Sequence, residues 1–113
     1  MEPNDEEWTA VLPVDDLRPN AARRVAVGDT DVLLYRTDQE TLAVGNRCTH
    51  QGAPLHKGVL RATGAMKTVT CPAHGSTFLL TDGRVLRGPA TSWLPTYDVR
   101  VNGATLEVRE RRR

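Results

Sequence analysis

The sequence predicts an all-β protein. Three observations carry that expectation: the strand signals are short and frequent, no window of about eleven residues or more holds a clean helical apolar period, and turn-forming pairs separate the apolar runs. In chain order, Val25 and Val27 lead into Gly28-Asp29-Thr30-Asp31, after which Val32 to Arg36 resumes a β-rich run, which reads as a hairpin. Asp38-Gln39-Glu40 is a polar break before Thr41 to Val44. Thr77 to Thr81, the pair Asp82-Gly83 and then Arg84 to Leu86 read as a second hairpin. Near the end of the chain Tyr97, Val99 and Val101 alternate with polar residues, Asn102-Gly103 turns, and Leu106 and Val108 alternate on the return. Asn-Gly suits a type I′ turn, whose two central residues both need positive φ. The one helical candidate is Asp15 to Arg24, with Asp15 or Asp16 as its cap and Pro19 limiting it to about a turn at the front.

The 113 residues predict one domain spanning 1–113. A hydrophobic fraction of 39% and a charged fraction of 26% exclude a disordered chain. No apolar run approaches the roughly 18 residues of a membrane span, and the acidic stretch Met1 to Trp8 is unlike a secretory signal, so a cytoplasmic protein without membrane attachment is expected. Net charge is +1, but it is polarised along the chain. Residues 1–44 hold ten acids and four bases, whereas residues 45–91 hold six bases (Arg47, Lys57, Arg61, Lys67, Arg84, Arg87) and one acid, Asp82. The terminal run Arg111, Arg112, Arg113 lacks interleaved aromatic residues, so it reads as a solvated tail, and no nucleic-acid partner is expected.

Between residues 45 and 91 seven glycines and three prolines break the chain into loops. A segment of this kind buries little apolar surface of its own, so a bound metal or outside packing must offset its ordering entropy. The expectation is a cluster-binding subdomain at about 45–91 inserted in a β base formed by the rest, loosely folded without its metal. Both cysteines lie in it, each closely followed by a histidine: Cys48-Thr49-His50 and Cys71-Pro72-Ala73-His74. Random placement would produce such pairing on the order of a few times per thousand shuffles. A Cys48–Cys71 disulfide is disfavoured in a reducing cytosol. A structural zinc site usually draws like ligands from each knuckle, whereas here each supplies one thiolate and one imidazole. Two equivalent mixed loops suit a binuclear [2Fe-2S] centre of the Rieske type, in which the two thiolates take one iron and the two imidazoles the other.

Electrostatics gives the histidines their meaning. Two ferric ions, two sulfides and two thiolates sum to a neutral oxidised site, so one added electron leaves a single negative charge. A four-cysteine site starts two charges lower. Reduction of the neutral site costs less work in a low dielectric and raises the potential into a range of roughly −150 to +300 mV.

Cys48-Thr49-His50-Gln51-Gly52-Ala53-Pro54-Leu55 and Cys71-Pro72-Ala73-His74-Gly75-Ser76-Thr77-Phe78 resemble the two cluster loops of Rieske proteins, and Gly88-Pro89-Ala90 resembles their third, proline-containing loop. The opening Trp8 to Leu17 and closing Leu94 to Val108 also resemble small Rieske ferredoxins. The resemblance implies a stack of small antiparallel sheets with a loop-rich cluster-binding tip and one [2Fe-2S] cluster per chain. It implies that Cys48 and Cys71 bind the inner iron, that His50 and His74 bind the outer one, and that Ser76 donates to a cluster sulfur. Ala53 and Ala73 stand where respiratory members carry a disulfide, and Phe78 where they carry a tyrosine, which implies a potential below theirs. The 20-residue spacer between the ligand pairs implies a locally different loop at Val59 to Ala65.

His56, outside both ligand patterns, reads as an ordinary surface residue, and Trp8 and Trp93 as packing residues. No carboxylate pair, phosphate-cradling loop, or flavin or nicotinamide fingerprint is present, so the chain is not expected to be an enzyme. The resemblance implies instead a monomeric electron carrier between a flavin-dependent reductase and a terminal oxygenase. Its alternative is a Rieske-like electron-relay or regulatory subunit held in a larger oxidoreductase complex.

Overall fold

Alternation in one strand explains how a chain this short builds two cores. In the computed structural model, which describes residues 8–111, the run Val32-Leu33-Leu34-Tyr35 is buried throughout. Successive side chains of a strand point to opposite faces. Val32 and Leu34 accordingly enter one core with Leu12, Leu17, Val25, Ala43, Tyr97, Leu106 and Val108. Leu33 and Tyr35 enter the other with Val44, Leu55, Val69, Phe78, Leu80 and Leu94, and this second core also contains Cys48 and Cys71.

That strand is β3 (Thr30–Arg36) of a six-stranded antiparallel sheet. Its other members are β1 (Thr9–Pro13), β2 (Ala22–Val27), β4 (Thr41–Gly45), β9 (Thr96–Asn102) and β10 (Thr105–Glu110), in the order β1-β10-β9-β4-β3-β2. A second sheet, ordered β5-β6-β7-β8, comes from the chain between β4 and β9: β5 (Val59–Thr63), β6 (Met66–Thr70), β7 (Thr77–Leu79) and β8 (Val85–Arg87). Every strand pair is antiparallel, so the all-β class expected from the sequence is what the fold has. Lys67 ties the sheets together at the end far from the cysteines: its Nζ donates to Gln39 Oε1 at 3.1 Å and lies 3.6 Å from Glu40 Oε2.

Several expectations need correction. Residues 15–24 form no α-helix: a single 3-10 turn covers Val14–Asp16, without a side-chain cap, and Ala22–Val27 is β2. Pro19 and the positive φ of Asn20 end the helical path, and pairing with β3 recruits the following residues. The last hairpin pairs Asn102 with Thr105, so its central residues are Gly103 and Ala104, and only Gly103 has positive φ. That is not the type I′ turn expected of Asn102-Gly103. In the 77–86 hairpin the first strand is shorter than expected, the second begins one residue later, and Phe78 pairs with Val85. The segment 45–91 is also less loop-like than its glycines suggest. Val59 to Ala65 is β5 and the two-residue turn after it, and Leu55, Val69, Phe78, Leu80 and Ala90 give the segment apolar packing.

Candidate metal centre

Each cysteine–histidine pair sits in a loop closed by the same two backbone hydrogen bonds. In the first, Cys48 N–H donates to Ala53 O at 2.9 Å and Gly52 N–H to Cys48 O at 2.7 Å. In the second, Cys71 N–H donates to Ser76 O at 2.7 Å and Gly75 N–H to Cys71 O at 3.2 Å. Gly52 and Gly75 occupy equivalent positions with φ of +79° and +81°, a conformation that L side chains rarely adopt. In the sequence these glycines read only as breaks; the loops require them to reverse direction.

The loops bring like groups together. Cys48 and Cys71 are both buried and unbridged, and their thiols lie within hydrogen-bonding reach of each other. His50 and His74 are both exposed, with ring centroids 5.2 Å apart and rings nearly perpendicular. Burial pushes the Cys48 thiol above its ordinary value, and the neighbouring Cys71 pushes it further, while backbone N–H groups of His50 and Gln51 oppose the rise. Those two amides are oriented to stabilise negative charge on the sulfur. Among the described residues no three His, Cys, Asp or Glu side chains converge on one ion. Two thiols inside and two imidazoles outside are a donor set for a pair of metal ions, each with ligands of one kind.

A third strand of evidence is the buried hydroxyl of Ser76, which is 0% exposed. Its Oγ accepts from Ala90 N–H at 2.9 Å, which leaves the hydroxyl proton without an acceptor among the described residues. A buried donor needs a partner, and a cluster sulfur between the loops would be one. The residues therefore fit the group. The segment carrying Ala90 also reaches the first loop, where Thr49 Oγ1 donates to Ser92 O at 2.6 Å. The expected proline-containing third loop is thus tied to both ligand loops, and its Gly88-Pro89 bond is cis.

One histidine departs from its expected role, and the two tryptophans differ in their surroundings. His56 is half-buried: its N–H donates to Asn46 Oδ1 and its Nδ1 accepts from Asn46 Nδ2, both at 2.8 Å. The backbone donor fixes which way the Asn46 amide faces, so the Nδ1 atom carries no proton. Asn46, 1% exposed, went unnoticed in the sequence because a lone asparagine beside a loop carries no pattern. Of the core or edge packing expected for the two tryptophans, the 48% exposure of Trp93 excludes the core, whereas Trp8 is packed, with the guanidinium groups of Arg100 and Arg109 at 4.3 and 4.6 Å from its ring centre.

The Rieske [2Fe-2S] domain family matches residues 7–98, and the chain belongs to that family. It carries one [2Fe-2S] cluster. The chain is 36% identical over 98 residues to the 3-phenylpropionate/cinnamic acid dioxygenase ferredoxin subunit of Photorhabdus laumondii, covering 87% of this chain and 90% of that protein. It is also 36% identical over 107 residues to human apoptosis-inducing factor 3, covering 95% of this chain but 17% of that protein. Among solved structures, the ferredoxin of carbazole 1,9a-dioxygenase from Nocardioides aromaticivorans IC177 superposes with a TM-score of 0.82 at 27% identity, covering 92% and 98% of the two chains. A chain from a complex of reduced oxygenase and oxidised ferredoxin in carbazole 1,9a-dioxygenase gives 0.77 at 30% identity, covering 91% and 93%. A nitrite reductase small subunit from Mycobacterium tuberculosis gives 0.76 at 29% identity, covering 94% and 96%. With relatives that are ferredoxin subunits, this chain is an electron-transfer component and not itself a catalyst. Among the described residues no helix is long and apolar enough to cross a membrane.

Proposed function

We propose that the chain is a cytoplasmic, monomeric one-electron carrier that takes electrons from a flavin-dependent reductase and delivers them to a terminal oxygenase. The bound [2Fe-2S] cluster supplies reversible one-electron chemistry at the potential that mixed thiolate and imidazole ligation sets. In this reading Cys48 and Cys71 hold the inner iron and His50 and His74 the outer one. The observation that carries it is the sorting of the ligands: buried thiols close to one another, exposed imidazoles close to one another. The exposed rings bring the outer side of the site to the surface, where a partner can approach. Amides of His50 and Gln51 stabilise negative charge on the Cys48 sulfur, and the buried Ser76 hydroxyl, which accepts from Ala90 N–H, keeps its own proton available for a cluster sulfur. We further propose that residues 45–91 are a cluster-binding subdomain inserted in a single domain, a reading supported by the position of β5–β8 between β4 and β9.

Iron loading tests the ligand set. The purified protein should show the visible absorption and reduced-state paramagnetic resonance of a [2Fe-2S] centre, Cys48→Ser and Cys71→Ser should lose both, and His56→Ala should keep both. A colourless zinc protein, or an unaltered spectrum in Cys48→Ser, would overturn the assignment. A second reading, a subunit held in a larger oxidoreductase, is favoured by the likeness to a small fraction of apoptosis-inducing factor 3 and to a nitrite reductase small subunit. Sedimentation of the chain expressed alone separates the two, because a free carrier is stable and monomeric by itself.

A further inference from the structure

The cluster end of the molecule carries positive charge without compensating acids of its own. Strand register defines that end. Gly45 leads directly into the first ligand loop, Thr70 immediately precedes Cys71, and Arg87 at the end of β8 stands opposite Thr77, one residue past Ser76. The segments 46–58, 70–77 and 87–93 therefore form the end that presents His50 and His74. They contain Arg47, Lys57 and Arg87 and no aspartate or glutamate. Lys57 and Arg87 are exposed and have no ion pair with any described residue. Arg47 has a side chain 70% exposed and lies 3.5 Å from Asp31, an acid that also holds Arg24 at 3.1 Å, so two arginines share one carboxylate. The exposed acids Asp38 and Glu40 stand in the β3–β4 turn at the opposite end of that hairpin. Of the six bases in residues 45–91, only Arg47 and Lys67 pair with an acid among the described residues of the first 44.

We propose that the surface around His50 and His74 docks an acidic face of the redox partner, with Lys57 and Arg87 as its steering charges and Arg47 as a partly neutralised third. This rests on the electron-carrier reading above. One added electron makes the cluster site negative by a single charge, too little to reverse the sign of a rim with three bases. Opposite charge on a partner accelerates encounter and turns the exposed imidazoles toward it, and salt at about 0.15 M screens the attraction over roughly 8 Å.

The test needs no cognate partner. The dithionite-reduced, cluster-loaded protein is mixed with hexacyanoferrate(III) or with hexaamminecobalt(III) at increasing salt. Each oxidant takes one electron from one protein molecule, giving hexacyanoferrate(II) or the cobalt(II) complex, and no proton need move. The expected result is a fall of about tenfold in the hexacyanoferrate rate as salt rises, the low end of steered rate gains, with a flat or rising rate for the cobalt cation. A Lys57→Glu, Arg87→Glu double variant with an unchanged visible spectrum should exchange the two salt dependences. A second readout is independent of electron transfer. The chain has only two lysines, and Lys67 is buried, so acetylation by acetic anhydride, located by peptide mass mapping to set aside the α-amino group, reports Lys57, which redox-inert hexacyanocobaltate(III) should protect in the wild type. Equal salt dependence for both oxidants in the wild type, or unchanged dependence in the double variant, overturns the docking surface. A protein that takes up no cluster overturns the carrier reading itself, which separates the two failures.

Discussion

Removing the Ser76 hydroxyl separates two roles that one atom plays. The Oγ accepts from Ala90 N–H at 2.9 Å in a site 0% exposed, so Ser76→Ala strands a buried backbone donor in the third loop. An unsatisfied buried group costs about 1–3 kcal/mol, and for a domain of this size each kcal/mol lowers the melting temperature by roughly 4–8 °C. That loss belongs to the acceptor role and should appear with or without iron. The donor role has a different signature. If the hydroxyl proton bonds a cluster sulfur, the bond strengthens when an electron adds negative charge. A difference of about 1 kcal/mol between redox states then lowers a one-electron couple by roughly 40 mV, since about 59 mV corresponds to 1.4 kcal/mol. Protein-film voltammetry reads the potential and calorimetry of the apoprotein reads the stability. A destabilised variant whose potential is unchanged or raised would refute the donor role while leaving the loop contact intact.

Four other substitutions test contacts elsewhere in the fold. Asn46→Leu leaves the N–H of His56 without its 2.8 Å acceptor at the close of the first ligand loop, and should cost about 1–3 kcal/mol in urea unfolding and hasten cluster loss; an unchanged unfolding midpoint would contradict it. Gly58→Ala would drive a Cβ into the carbonyl oxygen of Thr70, the residue before Cys71, so it should destabilise by about 1–3 kcal/mol, whereas Gly64→Ala, whose Cβ would meet no heavy atom, should be strained only by its positive φ; thermal melts compare them. Burial raises the Asp98 carboxyl, but hydrogen bonds from Arg111 and Arg109 outweigh it and hold the group below its ordinary value. A depressed carboxyl contributes stability that is present above the unfolded value of about 4 and is lost as pH falls through the lower folded value. Asp98→Asn should therefore flatten the stability curve below about pH 4, as measured by acid titration of circular dichroism.

What the sequence made legible was mostly what one short segment can specify by itself. Cys48-Thr49-His50 and Cys71-Pro72-Ala73-His74 were visible because metal-ligand chemistry restricts residue type and spacing together. The hairpin at Gly28-Asp29 was visible because its turn chemistry is local. Errors arose where distant partners decide. Ala22–Val27 has no strong strand pattern with Arg23 and Arg24 in it, and it is a strand because β3 offers an edge. Val59 to Thr63, with no buried residue, could not announce itself as β5; pairing with β6, whose Val69 is fully buried, makes it one. Asn46 was silent for a related reason: its two partners on His56 lie ten residues away, across a loop whose closure the sequence did not reveal.

The closure of the two ligand loops also bears on why an electron carrier is built this way. Transfer is fast when little has to move as charge changes, so the ligands need fixed positions in both redox states. Here that fixing comes chiefly from the main chain. Cys48 and Cys71 are each held at both backbone groups, by Ala53 O and Gly52 N–H in one loop and by Ser76 O and Gly75 N–H in the other. Thr49 and Ser76 then fasten each loop to the segment 90–92. Side chains at the exposed positions around the histidines carry none of these bonds, apart from Thr49. The surface that meets a partner can therefore change its charge, as at Lys57 and Arg87, without disturbing the positions of the sulfur atoms beneath it. That independence is testable in one protein: the Lys57→Glu, Arg87→Glu variant should keep the wild-type spectrum and melting temperature while its preference between anionic and cationic oxidants reverses. A shifted spectrum would show that rim and ligand positions are coupled after all.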